Sequence, residues 1–299
     1  MTTAEGGEDE ARTDGGTRGS LAGSGEGGTD GPSSPSFREP VRTGGYYHLL
    51  KAVVYRDLLI WIRYPLNAAL GVFMGIFFFA LMFYGGTLVA GQAFSDTIEG
   101  LIVGYFLWTL SLGAYSGIMN DIQSEASWGT LERHFMTPFG FGPVVFAKSV
   151  AIVLRTFLTS AAVLAVMLLI TGTNLNLNLV AVLPVAVLTI VGALGLGLVM
   201  GGLGVLYKRI SNVANILQFA FIGLISAPVF DLWWARFLPL AQGSAMLQRA
   251  MRDGVRLWEF EPTALAVLVG TSVFYLALGY AIFGLTTRRA RRLGVLGDY

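Results

Sequence analysis

Cysteine is absent from all 299 residues. That excludes disulfide staples, thiolate metal sites and cysteine nucleophiles outright. Histidine is nearly absent too. His48 and His134 stand far apart and are the only two, too few for a histidine-built metal centre. Charged residues make up only 13% of the chain, against about 25% in soluble domains. Hydrophobic residues make up 54%. A chain so poor in charge and so rich in apolar side chains keeps most of its length in a bilayer. The formal net charge of +1 decides little, because the charges are segregated along the sequence.

Residues 1–36 lack the apolar side chains a core needs. They are Gly, Ser, Thr and acid, with Glu5, Glu8, Asp9, Glu10, Asp14, Glu26 and Asp30 against Arg12 and Arg18. The composition predicts a disordered, solvated tail. It does not predict a signal peptide, since no basic start precedes an apolar stretch. The expected organisation is an acidic Gly/Ser-rich tail at 1–40, a transmembrane domain at 41–292 and a short C-terminal tail at 293–299.

About 20 apolar residues cross a bilayer as helix. Six stretches qualify, roughly 67–90, 98–119, 149–170, 179–206, 213–230 and 262–285. The fifth is short. The fourth carries Gly192, Gly195, Gly197, Gly201, Gly202 and Gly204, a density that predicts close helix packing or a bend. Lys and Arg fix the expected orientation. One side takes Arg42, Lys51, Arg56, Arg63, Arg133, Lys148, Lys208, Arg209, Arg288, Arg289, Arg291 and Arg292. The other takes only Arg236, Arg249, Arg252 and Arg256. Both termini are therefore expected in the cytoplasm.

Two segments flank these spans. In YYHLLKAVVYRDLLIWIRY (46–64), His48, Lys51, Arg56 and Arg63 form a basic stripe on a mostly apolar helix. That pattern suits a helix lying in the cytoplasmic interface. Asp57 and Leu59 break the face, and a basic start to a longer first span is the competing reading. Pro65 favours the split. Residues 231–261 carry Trp233, Trp234 and Trp258, suited to the outer interface, and Pro239 and Gly243 divide them. Short helices dipping in from outside satisfy this sequence. So does an amphipathic loop resting on the surface.

Membrane enzymes and ion-coupled transporters place ionisable groups inside the bilayer. The stretches 67–90, 179–206, 213–230 and 262–285 hold no Asp, Glu, Lys or Arg. Arg155 lies about one turn inside the third span, where it can snorkel outward. No catalytic residue and no metal ligand set is expected. Asn212, Asn215 and Gln218 share one face at the start of the fifth span. They suit the lining of a translocation path, or hydrogen bonds between helices. GPVVFAKS (142–149) comes within one residue of the phosphate-binding pattern, with Ala147 where its second Gly belongs. It opens a transmembrane helix and follows no strand, so nucleotide binding by this chain is not expected.

Between the second and third apolar runs lies a charged island, SEASWGTLERHFMTPFG. Ser124 and Glu125 open it, Gly129 and Thr130 interrupt it, and Pro138 ends one to two helical turns of TLERHFM. Leu131 and Phe135, at i and i+4, form an apolar pair, with Glu132 and Arg133 pointing elsewhere. Such a helix suits insertion into a groove on a soluble partner. A loop folded on its own membrane domain suits the same spacing.

The pattern Glu125-x-x-x-Gly129-Thr130-Leu131-Glu132, then Thr137-Pro138 and Lys148 opening the third span, resembles the ABC-2 type permease family. These are the membrane subunits of ATP-binding-cassette exporters, similar to drug-efflux and polysaccharide-export permeases. The resemblance covers roughly 46–292. The chain departs from it at Ala147, where Gly is usual, and in residues 1–40, which have no counterpart. The resemblance implies an all-α polytopic fold. An amphipathic interfacial helix (His48, Lys51, Arg56, Arg63) precedes six spans. A coupling helix lies between spans two and three, and a broken re-entrant segment between spans five and six. Glu125, Gly129, Thr130, Leu131, Glu132, Phe135, Thr137 and Pro138 would dock on an ATPase. Two ATPase subunits would carry ATP and Mg, and a second copy of the chain or a related permease would complete the path. The chain itself would be no enzyme, would bind membrane lipid and no nucleic acid, and would sit in the cell membrane. Apolar spans favour a lipophilic cargo. A glycan-exporting permease, or an anchor that moves nothing, are the alternatives.

Overall fold

The computed structural model describes residues 45–90, 98–129, 137, 139–207, 210–230 and 233–292. The chain divides into units Met1–Arg42 and Thr43–Tyr299. The acidic tail, the C-terminal tail and residues 130–136 and 138 of the charged island lie outside the described residues.

Among these residues the second unit is helical, with no strand. Helix α1 (Tyr46–Arg63) ends at Tyr64, and Pro65 begins α2 (Pro65–Ala90). Proline fits the first turn of a helix, where its missing N–H has no intrahelical partner. The basic segment and the first span are thus separate helices, and the longer-first-span reading fails. Three long helices follow, α3 (Ile98–Ser127), α4 (Phe141–Thr171) and α5 (Leu179–Leu206). Asn178 caps α5 by accepting from the Val180 N–H at 3.1 Å. The shorter α6 (Ser211–Ser226) runs into a 3₁₀ turn, Ala227–Phe230. A second 3₁₀ turn (Ala235–Phe237), helix α7 (Ala241–Arg252), a third turn (Leu257–Glu259) and α8 (Pro262–Arg292) complete the order.

Among the described residues, five helices are long and apolar enough to cross a membrane: α2, α3, α4, α5 and α8. Of the six crossings expected, the one at 213–230 is met by α6, whose 16 residues rise only about 24 Å. Three of the other expected limits fall short of the helix ends. Helix α3 continues about two turns beyond residue 119, α4 starts about two turns before 149, and α8 extends about two turns past 285. The extensions of α3 and α8 are polar stalks, and that of α4 is apolar up to Lys148. All three lie at one end of the bundle, where Phe141 of α4 stacks on Phe283 of α8 at 5.2 Å.

Helix α5 is the axis, packed between α3 and α8. Its glycines explain how. A Cβ at Gly195 would stand 2.2 Å from the Tyr275 carbonyl oxygen of α8, and one at Gly279 2.3 Å from the Gly195 carbonyl oxygen. The two backbones therefore touch, an approach open only to glycine. On the opposite side a Cβ at Gly197 would meet the Tyr115 carbonyl of α3 at 2.5 Å. Of packing and bending, packing is what these glycines serve.

The segment before α8 holds short helices packed on the bundle. Leu240 adopts φ 71, turning the chain sharply after Pro239, and α7 then packs against α3, α5 and α6. Its inner face is small or flexible: Gly243, Ser244, Met246, Leu247, Ala250 and Met251 are all buried. Ser244 Oγ donates to the Ile225 carbonyl at 2.7 Å, satisfying an acceptor that the last turn of α6 leaves open.

Candidate functional site

The polar stalk of α3 meets the start of α4 around one lysine. Lys148 is buried at 6% exposure, a setting that lysine tolerates only when paired. Its Nζ lies 2.9 Å from Asp121 Oδ2 and also bonds Glu125 Oε1. Asp121 and Glu125 stand one turn apart on α3, so their carboxylates share a face and repel. One cation from the neighbouring helix answers both. Burying ions is costly, and replacing such a cluster by apolar side chains is often neutral or stabilising. The cluster's evident product is geometric: it fixes the end of α3 against the start of α4.

A second cation of α4 extends the knot. Arg155, two turns after Lys148, places Nη1 3.6 Å from Asp57 Oδ1 of α1. Helix α1 packs along α4 through the side that carries Leu50, Val54, Asp57, Leu58 and Trp61, none of them exposed. Asp57, which breaks the basic stripe in sequence, is the residue that docks it. His48, Lys51, Arg56 and Arg63 all lie on the exposed side of α1.

From this base the charged island departs. Gly129, at φ 66, ends α3 in the left-handed conformation that glycine tolerates, and its N–H donates to the Ala126 carbonyl at 3.1 Å. The chain re-enters α4 after Gly140, at φ 76, whose N–H donates to the Thr137 carbonyl at 3.1 Å. Ser124 and Glu125 do not open the island. They belong to the last turns of α3, and Glu125 turns inward to Lys148. Thr130, Leu131, Glu132, Arg133, His134, Phe135 and Pro138 lie outside the described residues.

The remaining expected residues fall elsewhere. Asn212 and Asn215 are exposed on α6 and Gln218 is half-buried. Gln218 Nε2 donates to Asn215 Oδ1 at 2.9 Å. The hydrogen bond described for this trio is thus within one helix, not between helices. Residues 142–149, the near-match to a phosphate loop, are helical throughout. The lysine of that near-match is committed to two carboxylates.

Two acidic residues carry contacts that spacing alone did not assign. Asp121 lies just past the apolar run, and its i,i+4 relation to Glu125 was the available signal. Glu99, in the first turn of α3, places Oε2 3.7 Å from Arg252 Nε of α7. Nothing in the spacing of 99 and 252 announces that pair.

A profile of the family described as ABC-2 type transporter matches residues 48–241, from the first turn of α1 to the first residue of α7. No curated protein matches the chain. The matched region holds both ends of the Lys148 cluster, the Asp57–Arg155 tie and the glycine axis of α5. It covers more than half of the sequence, so the chain belongs to the ABC-2 type transporter family, the multi-pass membrane permease components of ABC transporters.

Proposed function

We propose that this chain is the permease subunit of an ABC exporter, moving a lipophilic or amphiphilic substrate out of the cytoplasm. ATP and Mg are held by a separate ATPase subunit, two copies of which dock beneath two permease chains in the cell membrane. The chain crosses six times with both termini inside. The count is supported by α6 together with its 3₁₀ continuation, which amount to about 32 Å of rise. The orientation is supported by the Lys and Arg that gather at the stalk end, including Arg288, Arg289, Arg291 and Arg292.

The observation that carries the reading is the Lys148 cluster. A segment that transmits force must be anchored at its base, since a ligand shifts a conformational equilibrium only through differential affinity for two rigid arrangements. The island leaves a base in which α3 is tied to α4 and α4 to α1. Leu131 and Phe135 supply the ridge that seats in the ATPase, with Glu132 and Pro138 fixing its direction. Helix α1 completes the docking surface with Lys51, Arg56 and Arg63. Asn212, Asn215 and Gln218, on the outward side of α6, face the path shared with the second permease chain. Short helices of the 231–261 segment dip into the outer leaflet around α7.

Glu132→Ala and Pro138→Gly are expected to abolish stimulation of the partner ATPase by transported substrate while leaving membrane insertion intact. The check is hydrolysis by the permease–ATPase complex in liposomes, with and without substrate. Full stimulation in both variants removes the island from the mechanism.

A further inference from the structure

Two hollows open side by side at the stalk end, on the flank formed by α1, α4 and α8. The larger, about 550 Å³, is walled by Tyr46 and Leu50 of α1, Gly142 and Phe146 of α4, and Tyr280 of α8. Its lining contains no charged side chain. The smaller, about 320 Å³, shares Gly142 and Tyr280 as walls and ends at Arg288 and Arg291. Those two arginines stand one turn apart on α8 and are exposed. Among the described residues lining either hollow, none is acidic.

We propose that this paired groove holds one anionic glycerophospholipid of the inner leaflet, as a bound lipid and not as cargo. An acyl chain lies in the apolar hollow under α1, and the headgroup phosphate meets Arg288 and Arg291. The occupant follows from the chemistry of the walls. The larger volume is within the range of small-molecule sites, and its aromatic and aliphatic lining gives a sugar or a peptide backbone nothing to bond. Guanidinium pairs suit phosphate by forked donation. The inner leaflet is where anionic headgroups are enriched, and basic pockets between membrane helices on that side capture them. The proposal rests on the orientation given above. It does not use the docking residues, because the groove's α1 wall is Tyr46 and Leu50 and not the Lys51, Arg56 and Arg63 assigned to the ATPase.

Gly142 makes the groove testable without disturbing the fold. A Cβ there meets nothing within 4 Å, so the side chain of Gly142→Leu starts into open space on the wall that both hollows share. The full-length chain is purified in detergent without its ATPase and exposed to equal amounts of phosphatidylglycerol and phosphatidylcholine. Retained lipid is then counted by native mass spectrometry. The unaltered chain is expected to keep phosphatidylglycerol in preference to phosphatidylcholine. Arg288→Gln with Arg291→Gln lowers phosphatidylglycerol retention by roughly ten- to thirty-fold and phosphatidylcholine retention less, because the choline cation offsets the phosphate charge that both lipids carry. Gly142→Leu lowers retention of both lipids. Equal retention of the two lipids by the unaltered chain overturns the proposal without any variant being made. So does undiminished retention in Gly142→Leu that unfolds at the same temperature as the parent. A lost preference leaves ATPase docking standing, and failed docking leaves the lipid result standing.

Discussion

Lys148 is the most constrained charge in the described structure, and its energetics are asymmetric. Removing one partner of a buried ionic cluster leaves the others uncompensated, at about 3–5 kcal/mol. Asp121 retains 34% side-chain exposure, so the lower end of that range applies. Lys148→Met is therefore expected to destabilise the chain by roughly 3 kcal/mol. The loss appears as a lowered unfolding temperature in detergent. Adding Asp121→Asn and Glu125→Gln to the same chain recovers most of it, because the repelling carboxylates are gone. A Lys148→Met chain as stable as the parent contradicts the cluster's burial. The triple variant carries a further expectation: stability returns while coupling to the ATPase does not. Glu125 and Lys148 were visible in sequence as members of a spaced pattern. Their contact was not, because it needs the crossing of α3 and α4, 23 residues apart in the chain. Asp121 was hidden because hydropathy ends before the helix does.

Among the elements, α5 and α8 set the tightest tolerance. Gly279→Val drives a branched side chain into the Gly195 carbonyl and is expected to destabilise by about 3 kcal/mol or more. Gly270, on the same helix, has nothing within 4 Å of a built Cβ. Gly270→Ala is expected to change stability by less than about 1 kcal/mol. Thermal unfolding of the two variants in one detergent checks the contrast, and equal losses contradict backbone contact as the reason for glycine at 279. The glycine-rich character of 192–204 announced this packing in advance, since small residues are what helices in lipid use to approach one another. The helix ends were less legible. Polar stalks continue a helix without continuing its hydropathy, so α3 and α8 run about two turns past their apolar cores, while α4 begins about two turns early in apolar residues that Lys148 separates from the rest of the span. Helix α7 was harder still. Its buried face is built largely from Ala, Gly, Ser and Met, a composition that leaves dipping helices and a surface loop both open until α3, α5 and α6 are packed around it. Conversely, the break between α1 and α2 was announced by a single residue, Pro65.

For the molecule as a whole, the proposed function turns on one mechanical claim: that the island between α3 and α4 is gripped by an ATPase, and that the Lys148 and Arg155 ties pass its movement to the bundle. The absence of cysteine makes this directly accessible, because any introduced cysteine is unique in the chain. Phe135→Cys is labelled with a benzophenone maleimide in inside-out vesicles containing the chain and its ATPase, then photolysed with and without ATP. The predicted result is adducts to the ATPase whose yield changes on ATP addition. An impermeant maleimide applied to the outer face of intact cells is expected to leave the introduced thiol unlabelled. Adducts confined to the chain itself, or labelling from outside, contradict the claim.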